Sequence, residues 1–421
     1  MQYIIGIGTN IGFTLENIHL AIQALDSHEE IKVIRKASLY SSKALLKEGA
    51  PKDWDINFIN TAVKISSSLD PNELLIVLKN IEKNIGRDQN APVWSPRIID
   101  LDILAAEDLI LEADNLSIPH KELLNRNFAL APLLELSKAW HHPKKVDIDL
   151  TLRLKELGNI EKLKQTLSNT MHMGIVNLSD QSFSDGLYDD TKRKSNLYKL
   201  IDNGAEIIDI GAESTKPNAK PISIDEEFEK LDIILEDIKA TATDLKYKPL
   251  ISIDTRKLAV IQMILEKHHD IIWMINDVEC SDIEQKAKLI AKYNKKYVIT
   301  HNLGIINRDQ YLDKSNAIEK VCQYIEQKKN ILLNYGVQKD NIFFDVGFGF
   351  GKKADTANYL LENIVKIKNI LGLKALIGHS RKPSILGLTK DSDLKSLDRA
   401  TRELSKKLEK LNIEIIRIHK I

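Results

Sequence analysis

Short apolar runs and longer amphipathic segments alternate along the chain, and their spacing changes character near residue 170. In the first part, Tyr3 to Ile7 reads as a buried strand followed by the turn Gly8-Thr9-Asn10. Leu15 to Leu25 carries apolar residues at helical spacing, with Thr14 placed to cap it. Ile31 to Tyr40 and Phe58 to Ser66 read as strands, and the polar segment Ser41 to Trp54 as a loop. Asp70-Pro71 opens a helix running to about Asn84, the aspartate as cap and the proline at the first helical position. Gly86 to Asn90 then leads into Trp94 to Leu104, WSPRIIDLDIL.

Within that stretch, Ile98 to Leu104 has the length and apolar content of a strand, and Asp100 and Asp102 stand two residues apart. Side chains alternate faces along a strand, so the two carboxylates share one face while Leu101 and Ile103 take the other. Carboxylates in an apolar strand are costly unless something positive joins them. Mg²⁺, a hard cation that arrives with substrate phosphates, meets that need, and Arg97 just upstream favours a phosphate site. The plainer alternative makes one aspartate a strand end and the other a surface ion pair.

From Met171 onward the pattern becomes regular. The β-rich runs HMGIVNL, EIIDIGAES, PLISIDT, IIWMINDV, YVITHNL, IFFDVGFG, KALIGHS and IEIIRIHK are separated by amphipathic segments. About eight such repeats over some 250 residues are the dimensions of a (β/α)₈ TIM barrel. Each run also ends in polar groups: Asn177, Asp209 with Glu213, Asp254, Asn276 with Asp277, His301, Asp345, Ser380, and Arg417 with His419. Barrel active sites lie where strands end, so these groups imply one site at the mouth. The joint from Val146 to Ser168 is charged and helix-permitting. The expected organisation is a first domain over 1–158, a short helical linker over 159–168 and the barrel over 169–421.

A chain of 421 residues is too long for one ordinary core. Lys+Arg and Asp+Glu both number 60, so no global field points to nucleic acid or a membrane surface. MQYIIGIGTN has no basic region or long apolar run, so export is not expected. Cys280 and Cys322 lack metal or disulfide spacing and read as buried thiols in the cytoplasm.

The set GTN, YSS, FINTAV, IEKNIGR, WSPRIIDLDIL and IPHKELLNRNFAL resembles 6-hydroxymethyl-7,8-dihydropterin pyrophosphokinase, from Met1 to about Leu157. That resemblance implies an α+β ferredoxin-like domain that transfers pyrophosphate from ATP to 6-hydroxymethyl-7,8-dihydropterin and leaves AMP. It implies Asp100 and Asp102 as Mg²⁺ ligands, with Arg87, Arg97 and Arg126 as phosphate clamps. It places His120 at the nucleotide, Glu82 in support of the nucleotide region, Asn60 on the pterin, and Phe58, Trp94 and Phe128 as aromatic faces. Ser42-Lys43-Ala44, Gln89 and Lys121 depart from the family pattern.

Further along, MGIVNLSDQSFSDG, GAEIIDIGAESTKP, SIDT, INDV, DVGFGFGK, LIGHSRKPSILG and IIRIHK are similar to dihydropteroate synthase, across Asn169 to Ile421. That family joins the pterin pyrophosphate to p-aminobenzoate and releases pyrophosphate, and sulfonamides compete with p-aminobenzoate. The resemblance implies Asp254, Asn276, Asp345 and Lys382 at the pterin edge. Asn177, Arg417 and His419 would face the pyrophosphate, with Ser380-Arg381 nearby, and Asn177 would ligate Mg²⁺ on it. Phe183, Pro217 and Lys382 would form the p-aminobenzoate pocket once two loops close, and Thr215 would contact substrate. A dissociative substitution with metal-assisted departure needs no general base. Ser179-Asp180-Gln181, Lys216, Val346 and Lys420 depart from the family pattern, and the altered loops leave a degenerate barrel kept as a binding or dimerisation scaffold as one alternative. A related pterin-dependent methyltransferase barrel is another, against which SFSDG, the SRK lysine and the fused kinase-like domain argue. A homodimer through barrel helices is expected from the same resemblance.

Overall fold

The computed structural model describes residues 1–178, 190–213, 221–241, 245, 247–303, 310–389 and 391–421. The chain divides into two compact units, Met1–Leu167 with Ala242–Lys248, and Ser168–Thr241 with Pro249–Ile421.

The strands of the first unit are β1 (Gln2–Thr9), β2 (Ile31–Lys36), β3 (Tyr40–Ser42), β4 (Phe58–Ser67), β5 (Asp100–Ala106), the short pair β6 (Leu111–Glu112) and β7 (Ser117–Ile118), and β8 (Glu161–Lys162). Apart from the β6–β7 pair, they form one sheet in the order β5-β1-β4-β3-β8, with β2 also on β4. Its helices are α1 (Thr14–Asp26), α2 (Pro71–Ile85), α3 (Asn127–Leu136) and α4 (Leu150–Glu156). β1 and β2 both run antiparallel to β4, and β4 and β5 both run antiparallel to β1. The chain therefore makes two split β-α-β units, which is the ferredoxin-like arrangement.

Local chemistry accounts for most of these elements. Asp70 caps α2 by accepting from Asn72 N at 2.8 Å and Glu73 N at 3.0 Å, while the Glu73 carboxylate accepts from Asp70 N at 2.9 Å. This capping box satisfies donors that the helix leaves open. Thr14 does not cap α1; it is the first helical residue after Phe13, and no side chain caps that end. The preceding turn is held by Asn17 Nδ2, which donates to Ile11 O and Ile98 O at 3.1 Å each. The strand expected over 31–40 breaks into β2 and β3, because a register shift at Val33/Arg35 disrupts pairing and Ala37 N turns to Ala62 O at 2.8 Å. The expected helical linker also differs. α4 stops at Glu156, Gly158 takes a left-handed φ of 87°, and Glu161 and Lys162 pair with Ser41 and Tyr40 as an edge strand.

The second unit is a closed barrel of eight parallel strands. They are β9 (Met171–Asn177), β10 (Ile207–Gly211), β11 (Leu250–Asp254), β12 (Ile272–Asp277), β13 (Lys296–Thr300), β14 (Ile342–Asp345), β15 (Lys374–Ile377) and β16 (Ile415–Ile418). All five residues of β10 and all six of β12 are buried, as expected for parallel strands covered on both faces. The polar residues that end the runs gather at the C-terminal mouth. Among the described residues, no helix is long and apolar enough to cross a membrane.

His172 enters at the opposite end of the barrel, where its Nε2 lies 3.0 Å from Glu409 Oε1 and its Nδ1 lies 3.6 Å from Glu206 Oε2. Burial lowers its pKa, but hydrogen bonds and attraction from the two carboxylates outweigh burial and raise it. A raised histidine pKa contributes stability that is fully present below the unfolded value of about 6.5 and is lost as pH rises through the folded value. His172→Gln should therefore lower the urea midpoint more at about pH 5.5 than at about pH 8.5. Equal losses at the two pH values would show that the imidazolium does not hold this end of the barrel.

Candidate active sites

The pairing of β5 with β1 decides the first site. Asp100 lies opposite Gly8 and Asp102 opposite Gly6, and Gly8 in turn lies opposite Asn60 on β4. Residues directly opposite in a ladder share a face, so the carboxylates and the Asn60 amide project together. The glycines keep the space between them open: a Cβ on Gly8 would come within 3.1 Å of Asn60 Oδ1, and one on Gly6 within 3.1 Å of Leu104. α3 covers the rest of this face by packing Ala129 and Leu133 with Ile4, Ala62 and Leu104.

What α3 leaves uncovered is a cavity of about 340 Å³. Asp100, Asp102, Arg87, Arg97, Arg126, His120, Asn60, Phe58, Trp94 and Phe128 all line it. The Arg126 guanidinium lies 5.9 Å from the ring centres of both Trp94 and Phe128. Asn60 Nδ2 donates to Ser42 Oγ at 2.9 Å. His120 Nδ1 accepts from Glu122 N at 3.2 Å, so Nε2 carries the proton of a neutral ring, and burial lowers the His120 pKa.

Electrostatics separates the two aspartates. Burial pushes both upward. For Asp100 the guanidiniums of Arg97, at 2.7 Å, and Arg87, in direct contact, reverse the effect and hold it below the usual carboxylate range. Asp102 stays raised, because burial and the Asp100 charge act together. Among the described residues no hydrogen bond reaches the Asp102 carboxylate. Such an oxygen-only pair, one member ionised and the other short of positive charge, is a donor set that suits Mg²⁺.

Glu82 does not line the cavity. It is buried beneath β5, where it accepts from Leu101 N at 2.7 Å and pairs with Arg87 at 2.8 Å and Lys79 at 2.7 Å. Glu82 thus holds Arg87 and the start of β5 in place. Lys79, which does line the cavity, was not singled out from the sequence; its spacing of three from Glu82 on a helix was the available signal.

In the second unit, β10, β11, β12 and β16 bring Asp209, Asp254, Asn276 and Arg417 together. Arg417 Nε donates to Asp209 Oδ2 at 2.5 Å and its Nη2 to Asp254 Oδ2 at 2.6 Å. Asn276 Nδ2 donates to Asp209 Oδ2 at 3.1 Å. Among the described residues, Asp209 Oδ1 is buried without a hydrogen-bond partner. Burial raises the Asp254 pKa; Arg417 opposes the rise, Asp209 adds to it, and the result is about 7. Asp209, noted in the sequence only as a strand-end carboxylate, is thus a central member of the cluster.

β14 and β15 supply the other side. A Cβ on Gly378 would lie 3.5 Å from Asp345 Oδ2 and 3.9 Å from Lys382 Nζ, which places those two groups around the same glycine. Lys382 Nζ donates to Gly378 O at 2.6 Å. Burial lowers its pKa; Asp345 opposes the shift and Arg417 adds to it. Ser380 Oγ meets His419 at N (3.2 Å) and Nδ1 (3.0 Å). Arg381, expected beside the pyrophosphate, instead forks onto Asp398 with Nε at 2.7 Å and Nη2 at 3.3 Å. Asn177 is exposed at the end of β9. His301, left unassigned from the sequence, contacts Lys352 Nζ through Nδ1 at 2.9 Å. Phe183, Thr215 and Pro217 lie outside the described residues.

Comparison with known proteins agrees with this division. The family model for 7,8-dihydro-6-hydroxymethylpterin-pyrophosphokinase matches residues 4–138, and that for pterin binding enzymes matches 173–419. A folate synthesis bifunctional protein of Chlamydia caviae is 32% identical, over 99% of this chain and 94% of that protein. One of Arabidopsis thaliana is 29% identical, over 92% and 84%. Among solved structures, the wild-type Plasmodium falciparum HPPK-DHPS with pteroate matches with a TM-score of 0.53 at 21% identity, over all of this chain and 92% of that one, a likeness of fold. Dihydropteroate synthase of Anaplasma phagocytophilum, with bound 6-hydroxymethylpterin-monophosphate, matches 60% of this chain and 94% of its own, with a TM-score of 0.53 and 28% identity.

The support beneath β5 can be tested by itself. Glu82→Ala would take from Arg87 and Lys79 their shared partner beneath β5 and leave Leu101 N without its acceptor, and an unsatisfied buried donor costs on the order of 1 to 3 kcal/mol. Calorimetry should show the first unit melting at a lower temperature. An unchanged melting temperature would mean that Leu101 N and the two cations find other partners at no cost.

Proposed function

The chain belongs to the folate synthesis bifunctional proteins, and from that premise we propose how its side chains divide the work. It is a bifunctional enzyme: it pyrophosphorylates 6-hydroxymethyl-7,8-dihydropterin at the expense of ATP, then condenses the product with p-aminobenzoate to dihydropteroate.

In the first unit the assignment rests on one observation, that two same-face carboxylates and three guanidiniums line one cavity. Asp100 and Asp102 would hold Mg²⁺, which when bound supplies charge neutralisation on the transferring group. Arg87, Arg97 and Arg126 grip the triphosphate, their planar donor forks matching phosphate oxygens. His120 donates from Nε2 toward the nucleotide. Asn60 hydrogen-bonds the pterin between the faces of Phe58, Trp94 and Phe128, which brings the hydroxymethyl oxygen to the phosphates.

In the barrel, Asp254, Asn276, Asp345 and Lys382 read the aminopyrimidinone edge. Carboxylates accept from its N–H groups, while the amide and ammonium serve its acceptor positions. Arg417 fixes Asp254 and presents Nη1, which has no partner among the described residues, toward the pyrophosphate together with His419 and Ser380. Asn177 would offer one neutral oxygen to Mg²⁺, which when bound supplies charge neutralisation on the departing pyrophosphate. The C–O bond breaks first, the arylamine nitrogen then bonds to the pterin carbon, and the nitrogen proton leaves to solvent. Phe183, Pro217 and Lys382 form the arylamine pocket in this reading, and Thr215 contacts substrate. The assembled pterin contacts argue against a barrel kept only as a scaffold. The two free, buried thiols suit a reducing compartment, which is the ground for assigning the enzyme to the cytoplasm.

Both half-reactions and the coupled reaction should be measured on one preparation. Asp102→Asn is expected to reduce AMP release by at least about a hundredfold while synthase activity on supplied pterin pyrophosphate persists. Lys382→Ala should do the reverse. Loss of both activities in either variant would sink the residue assignments.

The pH dependence of the synthase provides a separate check. Asp254 must be ionised to accept the pterin donors, so kcat/KM for the pterin pyrophosphate should fall as pH drops through about 7. A profile flat to about pH 5 would show that Asp254 titrates at its ordinary value.

A further inference from the structure

Lys352 follows the glycine-rich turn over 347–351 that leads out of β14, and its side chain is buried against that turn. Its Nζ donates to Gly347 O at 3.0 Å, Phe350 O at 2.9 Å and His301 O at 3.2 Å, and it meets His301 Nδ1 at 2.9 Å. Burial, with repulsion from Lys352, lowers the His301 pKa to about 3, so the ring is neutral and Nδ1 can accept. Burial also lowers the Lys352 pKa to about 7, with Asp345 opposing the shift and Lys382 adding to it. An ammonium has three donors and a neutral amine two, so the carbonyls keep a donor in either form. The His301 ring is held in turn by Tyr324, edge to face, with ring centres 5.1 Å apart.

Two of the pterin contacts rest on the turn that Lys352 ties down. Gly347 N donates to Asp345 Oδ1 at 2.8 Å, which fixes the carboxylate and leaves Oδ2 on the side of Gly378. A Cβ on Gly349 would lie 3.8 Å from Lys382 Cε and 3.9 Å from its Nζ, so the turn also backs the Lys382 side chain. The turn is tight: Gly347 and Gly351 both take a left-handed φ of 67°, and a Cβ on Gly347 would collide with His301 O. Folding the backbone this closely brings the carbonyls of Gly347, Phe350 and His301 to one point. Buried carbonyls without a donor are costly, and a single nitrogen serves all three.

We propose that Lys352, oriented by His301, is a positioning residue for the pterin substrate: it holds the 347–351 turn so that Asp345 Oδ2 and the Lys382 ammonium meet the aminopyrimidinone edge together. This role rests on the reading that Asp345 and Lys382 contact the pterin, and it gives Lys352 itself no bond to substrate. Without Nζ, the three carbonyls repel one another, the turn opens, and Gly347 N leaves Asp345. Binding groups keep their geometry only as far as the contacts behind them do. Asp254 and Asn276 are held separately, by Arg417 and Asp209 on other strands.

Titration of the full chain with pterin pyrophosphate, read by calorimetry well below each variant's melting temperature, tests this. Lys352→Met keeps most of the stem and removes Nζ. It should weaken pterin pyrophosphate binding about ten- to a hundredfold, the size of one misplaced hydrogen bond to a charged group. The kinase half-reaction should stay within about twofold, as for distant, independent sites. His301→Leu should weaken binding in the same direction, while His301→Asn, whose amide oxygen can stand where Nδ1 stood, should restore it toward the parent. A lowered melting temperature with unchanged pterin affinity would overturn the proposal and leave Lys352 a structural amine. If Lys352→Met does not fold, the His301 pair carries the test, and equal affinity in His301→Leu and the parent overturns the proposal. Asp345→Asn checks the underlying reading by itself. Unchanged affinity in that variant overturns the reading, whereas weakened binding there beside an unaffected Lys352→Met overturns only the positioning role.

Discussion

Two carboxylates buried within reach of each other cannot both stay ionised unless positive charge is placed beside them, and each half of this chain is built around that constraint. In the first unit, Asp100 is held ionised by Arg87 and Arg97 while Asp102 is left raised. In the barrel, Arg417 stands between Asp209 and Asp254, one positive charge against two negative, and Asp254 rises to about 7. Both arrangements are short of positive charge or of donors. Both therefore favour what folate chemistry brings: a metal–phosphate complex in one case and the N–H edge of a pterin in the other.

The supporting structure follows from keeping those charges fixed. Glu82 lies under β5 and holds Arg87, so an acid that never reaches the cavity decides the geometry of the guanidinium that does. Lys286 and the Tyr297 hydroxyl both bind Asp277, at 2.5 and 2.6 Å, one residue after Asn276. Such interior polar groups are costly unless satisfied, and once satisfied they leave the adjoining ligand little freedom. The glycines on β1 work in the opposite sense, by keeping side chains out of the space the ligands need.

Legibility in the sequence differed between positions for physical reasons. Asp100 and Asp102 were readable because strand periodicity alone places them on one face. The barrel was readable because its strands end in polar residues, an uneconomical pattern unless the ends converge. Asp209 was harder, since it lies in the middle of β10 and only closure of the barrel brings it to Arg417. Arg381 was harder to place, because it adopts a left-handed φ of 55° and turns onto Asp398 in the later helix Leu394–Lys410. The edge strand Glu161–Lys162 was missed because two charged residues carry no strand signal of their own; they pair only because β3 offers a free edge.

What the sequence by itself determined was the periodicity, and with it the two fold classes, the capped start of α2 and the identity of nearly every polar group at the two sites. These depend on neighbours a few residues apart, where local geometry suffices. Tertiary structure alone decided which of those groups face a ligand and which hold another side chain. Glu82, Arg381 and Lys352 are all of the second kind. Side-chain partners lie 17 residues away for Arg381 and 51 for Lys352, and Glu82 finds its partner in β5; no local pattern encodes a contact that exists only after the strands have been brought side by side.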